Sequence, residues 1–405
     1  MRILFCNYEY PPLGGGGGIV TALLAESLAA RRHEVTVLTS RGLGLPSEDL
    51  REGVRVIRVP VLFRQSQATA NLASMFAYMA RAPFDARRWF APGEFDLVNT
   101  HFVLPSGPAG QSIARSFGVP NVLSLHGGDL YDPSKPISPH RHLLLRLWVR
   151  HLLHQADHLI GQSVDTIANV HRYYDPQLAV SRISLSIHRP AAAEGVRSDY
   201  GFAPEDRLLV TVGRLVARKA IEQLVAILTL LPPTTRLLIV GNGPKEAEIR
   251  RQASEAGVAE RVHFLGFVSE REKFEILHMA DLFVSTSQHE GFGLVFLEAM
   301  ACGLPVVCYD RGGQNDFLMS GVTGTVVPLN DRAGFAAAVA DLLTDPERCR
   351  MMGEHNRERV EPYLADNCVR QYETVFEQVL SAHRRRLSGA RLPSTVDELG
   401  RHVVR

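Results

Sequence analysis

Lysine is nearly missing from this chain. Of 44 basic residues only four are lysines, Lys135, Lys219, Lys245 and Lys273. Against that arginine-rich background, a lysine beside a glycine turn stands out. Cysteine is scarce as well. Cys6, Cys302, Cys308, Cys349 and Cys368 form an odd, scattered set without Cys-x-x-Cys. That excludes a disulfide framework and points to reduced thiols in the cytosol. No run is long and apolar enough to span a bilayer. The opening MRILFCNYEYPP reads as a strand entering prolines, not as a secretory signal. There is no Asp-x-Asp, which disfavours a metal–diphosphate clamp of that kind. There is no Gly-x-Ser-x-Gly nucleophile elbow, no Walker A lysine after the glycine-rich run, and no nucleic-acid-binding motif. Large charge excess is missing too. The net charge is +1, so the whole molecule is not a polyanion binder.

What is present is an ordinary globular composition, 45% hydrophobic and 21% charged over 405 residues. The length argues for two or more domains. Residues 1–190 carry 19 Lys+Arg against 14 Asp+Glu, and the remainder 25 against 29. A mildly basic first half and an acidic second half fit two domains with different partners. Apolar runs at 3–8, 34–39, 54–60, 96–101, 121–126 and 158–162 alternate with helix-period segments such as 19–30 and 105–117. The alternation resumes at 208–212, 237–240, 262–267, 282–287 and 306–309. Two such sets predict an α/β chain with two doubly wound parallel sheets. The domains are expected at 1–190 and 191–364. Residues 189–206, rich in Ala, Pro and Gly, read as the linker. A last helix is expected at 365–386, followed by a poorly ordered tail at 387–405.

The most informative segment is HEGFGLVFLEAMACGLPVV at 289–307. It reads as a glycine turn opening a short helix between two strands. In such a unit the helix N-terminus faces the ligand crevice, and its free N–H groups suit a diphosphate. Glu290 sits at the turn and Glu298 on an apolar helix. A buried carboxylate without a partner is costly, and a sugar diol is a good partner. The bland alternative is that Glu298 decorates a helix surface.

Other candidates follow the same logic. Gly14 to Gly18 form a five-glycine run before a helix, either a backbone cradle for a phosphate or sugar or a flexible surface loop. Gly213-Arg214-Leu215 ends a strand and Lys219 starts a helix; a basic helix start is unfavourable without an anion. Gly243, in GNGP at 241–244, permits a turn before a helix. His126, in LHGGD at 125–129, stands at a strand end and is either structural or a contact for a transferred group. Residues 139–155 read as a basic amphipathic helix. Its stripe of His142, Arg146, Arg150 and His154 is either a solvated face or a contact for anionic lipid. Residues 63–89, mixed apolar and basic, carry the same two readings. His151, His154 and His158 share a face, but no second shell suggests a metal.

Together, in order and spacing, these motifs resemble the retaining nucleotide-sugar glycosyltransferases of family 4, over nearly the whole chain. The resemblance implies a GT-B fold, two Rossmann-like domains facing across a cleft, with the last helix crossing back to the first domain. It implies a cytoplasmic, metal-independent, cofactor-free enzyme that moves a sugar from a nucleoside diphosphate to an acceptor hydroxyl. Polysaccharide, glycolipid or glycoconjugate synthesis is the expected setting. Arg214 and Lys219 would hold the diphosphate, with Gly213 and Gly243 shaping nearby turns. Glu298 would bind the ribose and Glu290 hydroxyls of the donor sugar. Phe292, Gly293, Leu294 and Val295 would contribute backbone amides. His126 would touch the donor sugar, and Gly15 and Gly16 would line the diphosphate and acceptor side. Partners are then a nucleotide sugar and a sugar, lipid-linked sugar or small-molecule acceptor, with peripheral membrane contact through the basic first domain and no nucleic acid. Departures from the family pattern are Ala220 after the lysine, residues 184–188 before the linker, and Gln314-Asn315-Asp316 after Gly312-Gly313. A sugar-nucleotide 2-epimerase and a non-catalytic sugar-nucleotide sensor remain as alternatives. The donor base, the sugar and the acceptor are not specified by these motifs.

Overall fold

The computed structural model describes residues 1–42, 44–62, 64, 71–190 and 195–388. The expected tail beyond 388, residues 191–194 of the linker, and residues 63 and 65–70 of the mixed apolar–basic segment lie outside the described residues.

The first domain contains β1 (Arg2–Cys6), α1 (Gly16–Ala30), β2 (Glu34–Arg41), β3 (Glu48–Arg51), β4 (Val54–Pro60), α2 (Leu72–Trp89), β5 (Leu97–His101), α3 (Ser106–Phe117), β6 (Asn121–Leu125), α4 (Leu143–Gln155), β7 (His158–Gly161), α5 (Val164–Tyr173) and β8 (Ser181–Arg182). The second contains β9 (Arg207–Val212), α6 (Glu222–Leu228), β10 (Thr235–Val240), α7 (Glu246–Glu255), β11 (Val262–Gly266), α8 (Glu270–Met279), β12 (Leu282–Ser285), α9 (Leu294–Ala301), β13 (Val306–Tyr309), β14 (Gly324–Val327), α10 (Arg332–Leu343) and α11 (Pro346–Val360). The chain then enters α12 (Ala365–Leu387).

Each domain is a twisted sheet with helices on both faces. The strand orders are β3-β4-β2-β1-β5-β6-β7-β8 and β11-β10-β9-β12-β13-β14. The order reverses beside β1 in the first sheet and beside β9 in the second, the switch points where an open α/β sheet opens its crevice. Pairing is parallel throughout except for β3 on β4. The sequence reading missed β3 because EDLR is a charged edge strand with no apolar alternation. It also missed β8 and β14, which span two and four residues. Central strands such as β5 and β6 are buried at every position, as a sheet covered on both faces requires.

The long helix α12 returns to the first domain. Val369, Tyr372, Phe376 and Leu380 recur at helical spacing and pack with Ile3, Phe5 and Leu28 in one cluster. Glu373 fastens the outer edge, accepting from Arg31 at 2.7 and 2.8 Å and lying 2.9 Å from His33 Nε2. Where the chain crosses twice between domains, the crossings hold each other: Ile187 N donates to Tyr363 O at 3.0 Å and Ala365 N to Ile187 O at 3.1 Å. Residues 184–188, which depart from the family pattern, therefore form part of this paired crossing. Among the described residues no helix is long and apolar enough to cross a membrane.

The amphipathic segment at 139–155 is less basic than its sequence suggests. Its helix is α4, preceded by a 3-10 turn at Pro139–Arg141. Val149, Leu152 and Leu153 face the core, while Leu143, Leu144 and Leu147 are exposed. Arg150 and His154, half of the expected stripe, are drawn onto Asp175 at 2.9 and 3.1 Å.

Candidate active site

Strand β12 ends at the cleft, and the chain turns through Gln288 to Gly293 into α9. Gly293 adopts φ +97, and a side chain there would meet the Phe296 ring at 2.7 Å, so the turn requires glycine. No side chain caps α9. Its first N–H groups, from Leu294 and Val295, are the uncapped donors of a helix N-terminus. Phe292 is buried against Phe317 and Tyr363, so only its backbone is available to a ligand.

Glu290 lies in this turn, 5% exposed. Its Oε1 accepts from Lys219 Nζ and its Oε2 from Arg218 Nη1, the latter at 3.1 Å. Arg218 also donates to the His289 carbonyl. Burial alone would raise the Glu290 pKa, but Lys219 and Arg218 outweigh it and hold the carboxyl at about 2. Burial lowers the Lys219 pKa while Glu290 works to keep it charged. The anion that the lysine demanded from sequence is thus, within the protein, Glu290. Lys219 closes a 3-10 turn, Ala217–Lys219, and α6 begins only at Glu222. The expected α-helical start at Lys219 is therefore corrected to a tighter turn, which Ala220 ends with φ +46. Arg214 is exposed, and its side chain makes no hydrogen bond or ion pair among the described residues. Gly213 lets the Lys219 stem pass, since a Cβ there would lie 3.3 Å from Lys219 Cε. Gly243 packs its bare backbone on Leu215, where a Cβ would sit 2.5 Å from the carbonyl oxygen.

Glu298 is on α9, with its side chain 14% exposed. The sequence predicts no protein partner for it; the structure supplies Lys273 of α8, whose Nζ lies 2.9 Å from Oε1. Lys273 also reaches Glu270 at 2.9 and 3.0 Å. Burial raises the Glu298 pKa, with Lys273 pulling the other way. Its Oε2 is buried without a hydrogen-bond partner. A diol hydroxyl would supply that missing donor.

The first domain contributes from across the cleft. His126 follows β6, and its carbonyl would lie 2.9 Å from a Cβ on Gly291, so the two loops touch backbone to backbone. Burial pushes the His126 pKa down to about 3, so its ring is neutral. Phe102 stacks on that ring at 4.2 Å. In the glycine run, Gly15 and Gly16 face open space, with nothing within 4 Å of an added Cβ. Gly17 is different: a side chain there would collide with the Phe102 ring. The domains also meet through Ser163 Oγ to Gly291 O at 3.0 Å, Val164 N to Asp316 Oδ2 at 2.9 Å, and His289 with Asp165 at 3.1 Å. Asp316, the acid after the double glycine, thus faces the first domain.

Glu290, Lys219, the α9 turn and the His126 loop therefore converge at the cleft. Sequence reasoning gave no role to Arg218, Lys273, His289, His101 or Phe102. Lys273 carried one available signal, being one of four lysines. The others are brought in from separate elements.

Comparison with known proteins agrees with this architecture. A family model described as "Glycosyl transferase 4-like domain" matches residues 15–185, and "Glycosyl transferases group 1" matches residues 194–359. The chain is 29% identical over 390 residues to N-acetyl-alpha-D-glucosaminyl L-malate synthase of Bacillus anthracis, covering 92% of this chain and 96% of that one. It is 30% identical over 385 residues to the GDP-mannose-dependent alpha-(1-6)-phosphatidylinositol monomannoside mannosyltransferase of Mycolicibacterium smegmatis, covering 88% and 92%. Among solved structures, a sucrose-phosphate synthase from Thermosynechococcus elongatus superposes with TM-score 0.82 at 25% identity, covering 94% of this chain and 99% of that one. With its two facing sheets and both family models matched in order, this chain belongs to the family 4 glycosyltransferases of GT-B fold and is a sugar-transferring enzyme.

Proposed function

We propose that the enzyme transfers a sugar from a nucleoside diphosphate donor to an acceptor hydroxyl, with retention at the anomeric carbon and without a metal ion. The observation that carries this reading is the convergence of Lys219, Arg218 and the uncapped α9 N-terminus around Glu290. Bond cleavage places growing negative charge on the leaving diphosphate. Two fixed cations and a helix N-terminus stabilise that charge with little reorganisation. Arg214, exposed beside them, adds a fork for phosphate oxygens. The orphan Oε2 of Glu298 is the ribose-binding atom in this reading. Glu290, held by two cations, orients sugar hydroxyls and is poorly disposed to act as a covalent nucleophile. Retention then follows from front-face attack, with a leaving phosphate oxygen taking the acceptor proton. The similarity to a GDP-mannose-dependent mannosyltransferase supports a nucleotide-sugar donor.

The test is a transfer assay on a panel of sugar nucleotides and hydroxyl acceptors, read by proton NMR. The reading expects a product with the donor's anomeric configuration, formed equally with and without EDTA. An inverted product, or activity lost in EDTA and restored by a divalent cation, contradicts it. Free epimerised sugar nucleotide formed without acceptor would establish the epimerase alternative.

Peripheral membrane contact is the finer proposal for the first domain. Ile137, Leu143, Leu144 and Leu147 are exposed beside Arg141 and Arg146, an apolar patch with a basic rim. Flotation with anionic vesicles should carry the parent, and Arg146→Glu with Leu144→Glu should stay behind. Equal flotation of both removes α4 as the contact.

A further inference from the structure

We infer that Asn99 and His101 are positioning residues that fix His126 as a neutral hydrogen-bond acceptor toward the transferred sugar. The inference rests on the reading of His126 as a sugar contact.

The bonds set their own polarity. Asn99 Nδ2 donates to Val122 O at 3.0 Å and to Ser124 Oγ at 3.1 Å. A carbonyl only accepts, so Asn99 Oδ1 is fixed as an acceptor. His101 Nε2 lies 2.8 Å from that oxygen and must carry a hydrogen. His101 is fully buried, and burial drives its pKa well down, so the ring is neutral and Nδ1 holds a lone pair. His126 Nε2 lies 2.9 Å from that nitrogen and must donate to it. His126 is neutral as well, so the lone pair falls on its Nδ1. That atom has no partner among the described residues. The tautomers are thus assigned by the network.

The rings are held in place by stacking. Phe5 lies 5.4 Å from His101, and Phe102 4.2 Å from His126. Phe102 sits at φ +71, a costly backbone for a bulky residue, and its ring occupies the space above Gly17. The glycine run and the histidine relay are therefore one assembly. The arrangement has a chemical use. A glycosyl carbon gains positive charge as its bond to the leaving group breaks. An imidazolium beside it would oppose that charge. A neutral ring offering a lone pair accepts a hydrogen bond from a sugar hydroxyl and adds no positive field.

The experiment compares binding of UDP with UDP-glucose, or the GDP pair if guanine nucleotides bind, in the parent, His126→Phe, His101→Phe, His101→Gln and the His101→Phe/His126→Phe double variant. Phenylalanine keeps the ring stacked on Phe5 and removes the relay; glutamine can restore one acceptor and one donor. His101→Phe should leave nucleoside diphosphate affinity within about twofold and weaken the sugar nucleotide about tenfold, the scale of one hydrogen bond. His101→Gln should recover to within about threefold of the parent. The double variant should be no weaker than His126→Phe. If His126→Phe loses sugar affinity and His101→Phe does not, the relay is overturned and the sugar contact stands. If His126→Phe binds like the parent, the sugar-contact reading fails and the relay falls with it. Should His101→Phe not fold, the parent's histidine nitrogen-15 spectrum decides. An unprotonated His126 Nδ1 supports the assignment, and a protonated one overturns it.

Discussion

Lys273 and Glu298 are a largely buried pair, their side chains 10% and 14% exposed, and each depends on the other. Removing only the lysine leaves the carboxylate desolvated without a counter-ion. Lys273→Met should therefore cost about 2 kcal/mol in urea denaturation, below the figure for a fully buried pair because both groups keep some solvent. Lys273→Met with Glu298→Leu should recover most of that loss, while the double variant still loses nucleotide affinity. An unchanged stability in the single variant would remove Lys273 as the structural partner. Acid sensitivity follows from the buried titratable groups at the cleft. His101 and His126 have folded pKa values below the ordinary 6.5, so the unfolded chain binds more protons than the folded one as pH falls from 6.5. Stability from these groups is lost on acidification. Glu290, at about 2 against an ordinary 4.5, adds a second loss as pH falls from 4.5 toward 2. Asp129, raised by burial to about 6, works the other way between 6 and its ordinary 3.8. The clean readout is thus a difference. His101→Phe should show a shallower fall in melting temperature between pH 6.5 and 4.5 than the parent. Parallel curves would contradict the assignment of neutral buried rings.

Elements were legible where their information is local. The stretch 282–309 carries strand, turn, helix and strand in consecutive residues, so its architecture could be read directly. Strand β3 was not legible, because EDLR shows no apolar alternation, and neither was β14, a four-residue strand entered through a glycine. The five-glycine run was legible as the turn into α1, but not in how its members divide between open space and packing. Gly17 meets Phe102, which comes from beyond β5, some eighty residues further along the chain, and no local pattern announces that contact. Gly17→Ala should cost about 1–3 kcal/mol, the range for overpacking. Gly16→Ala, facing open space, should leave stability nearly unchanged and act on ligand binding instead. Equal stability loss in both would contradict the contact between Gly17 and Phe102.

At the scale of the molecule, alternating strands and helices made two wound sheets readable from sequence alone. The cleft chemistry was only partly readable. Glu290 and Glu298 are eight positions apart in one motif, whereas Arg218 reaches Glu290 across 72 positions and His126 reaches His101 across 25. Such pairs become neighbours only when parallel strands align their ends. Helix α12 shows the same distance effect, since it closes a face of the first domain from the far end of the chain. A chain ended at residue 364 should expose that face, bind hydrophobic dye and aggregate. A monomeric, fully folded truncation would contradict the packing. The central claim is that the cleft holds a nucleoside diphosphate sugar through Lys219 and Glu298. The most direct measurement is a thermal-shift panel of UDP-, GDP- and ADP-sugars on the parent, Lys219→Ala and Glu298→Ala. At a hundred times its dissociation constant a donor stabilises by about 2.7 kcal/mol. The account predicts a shift with the sugars of one base, reduced in both folded variants. A shift undiminished in the variants, or none with any donor, would contradict it.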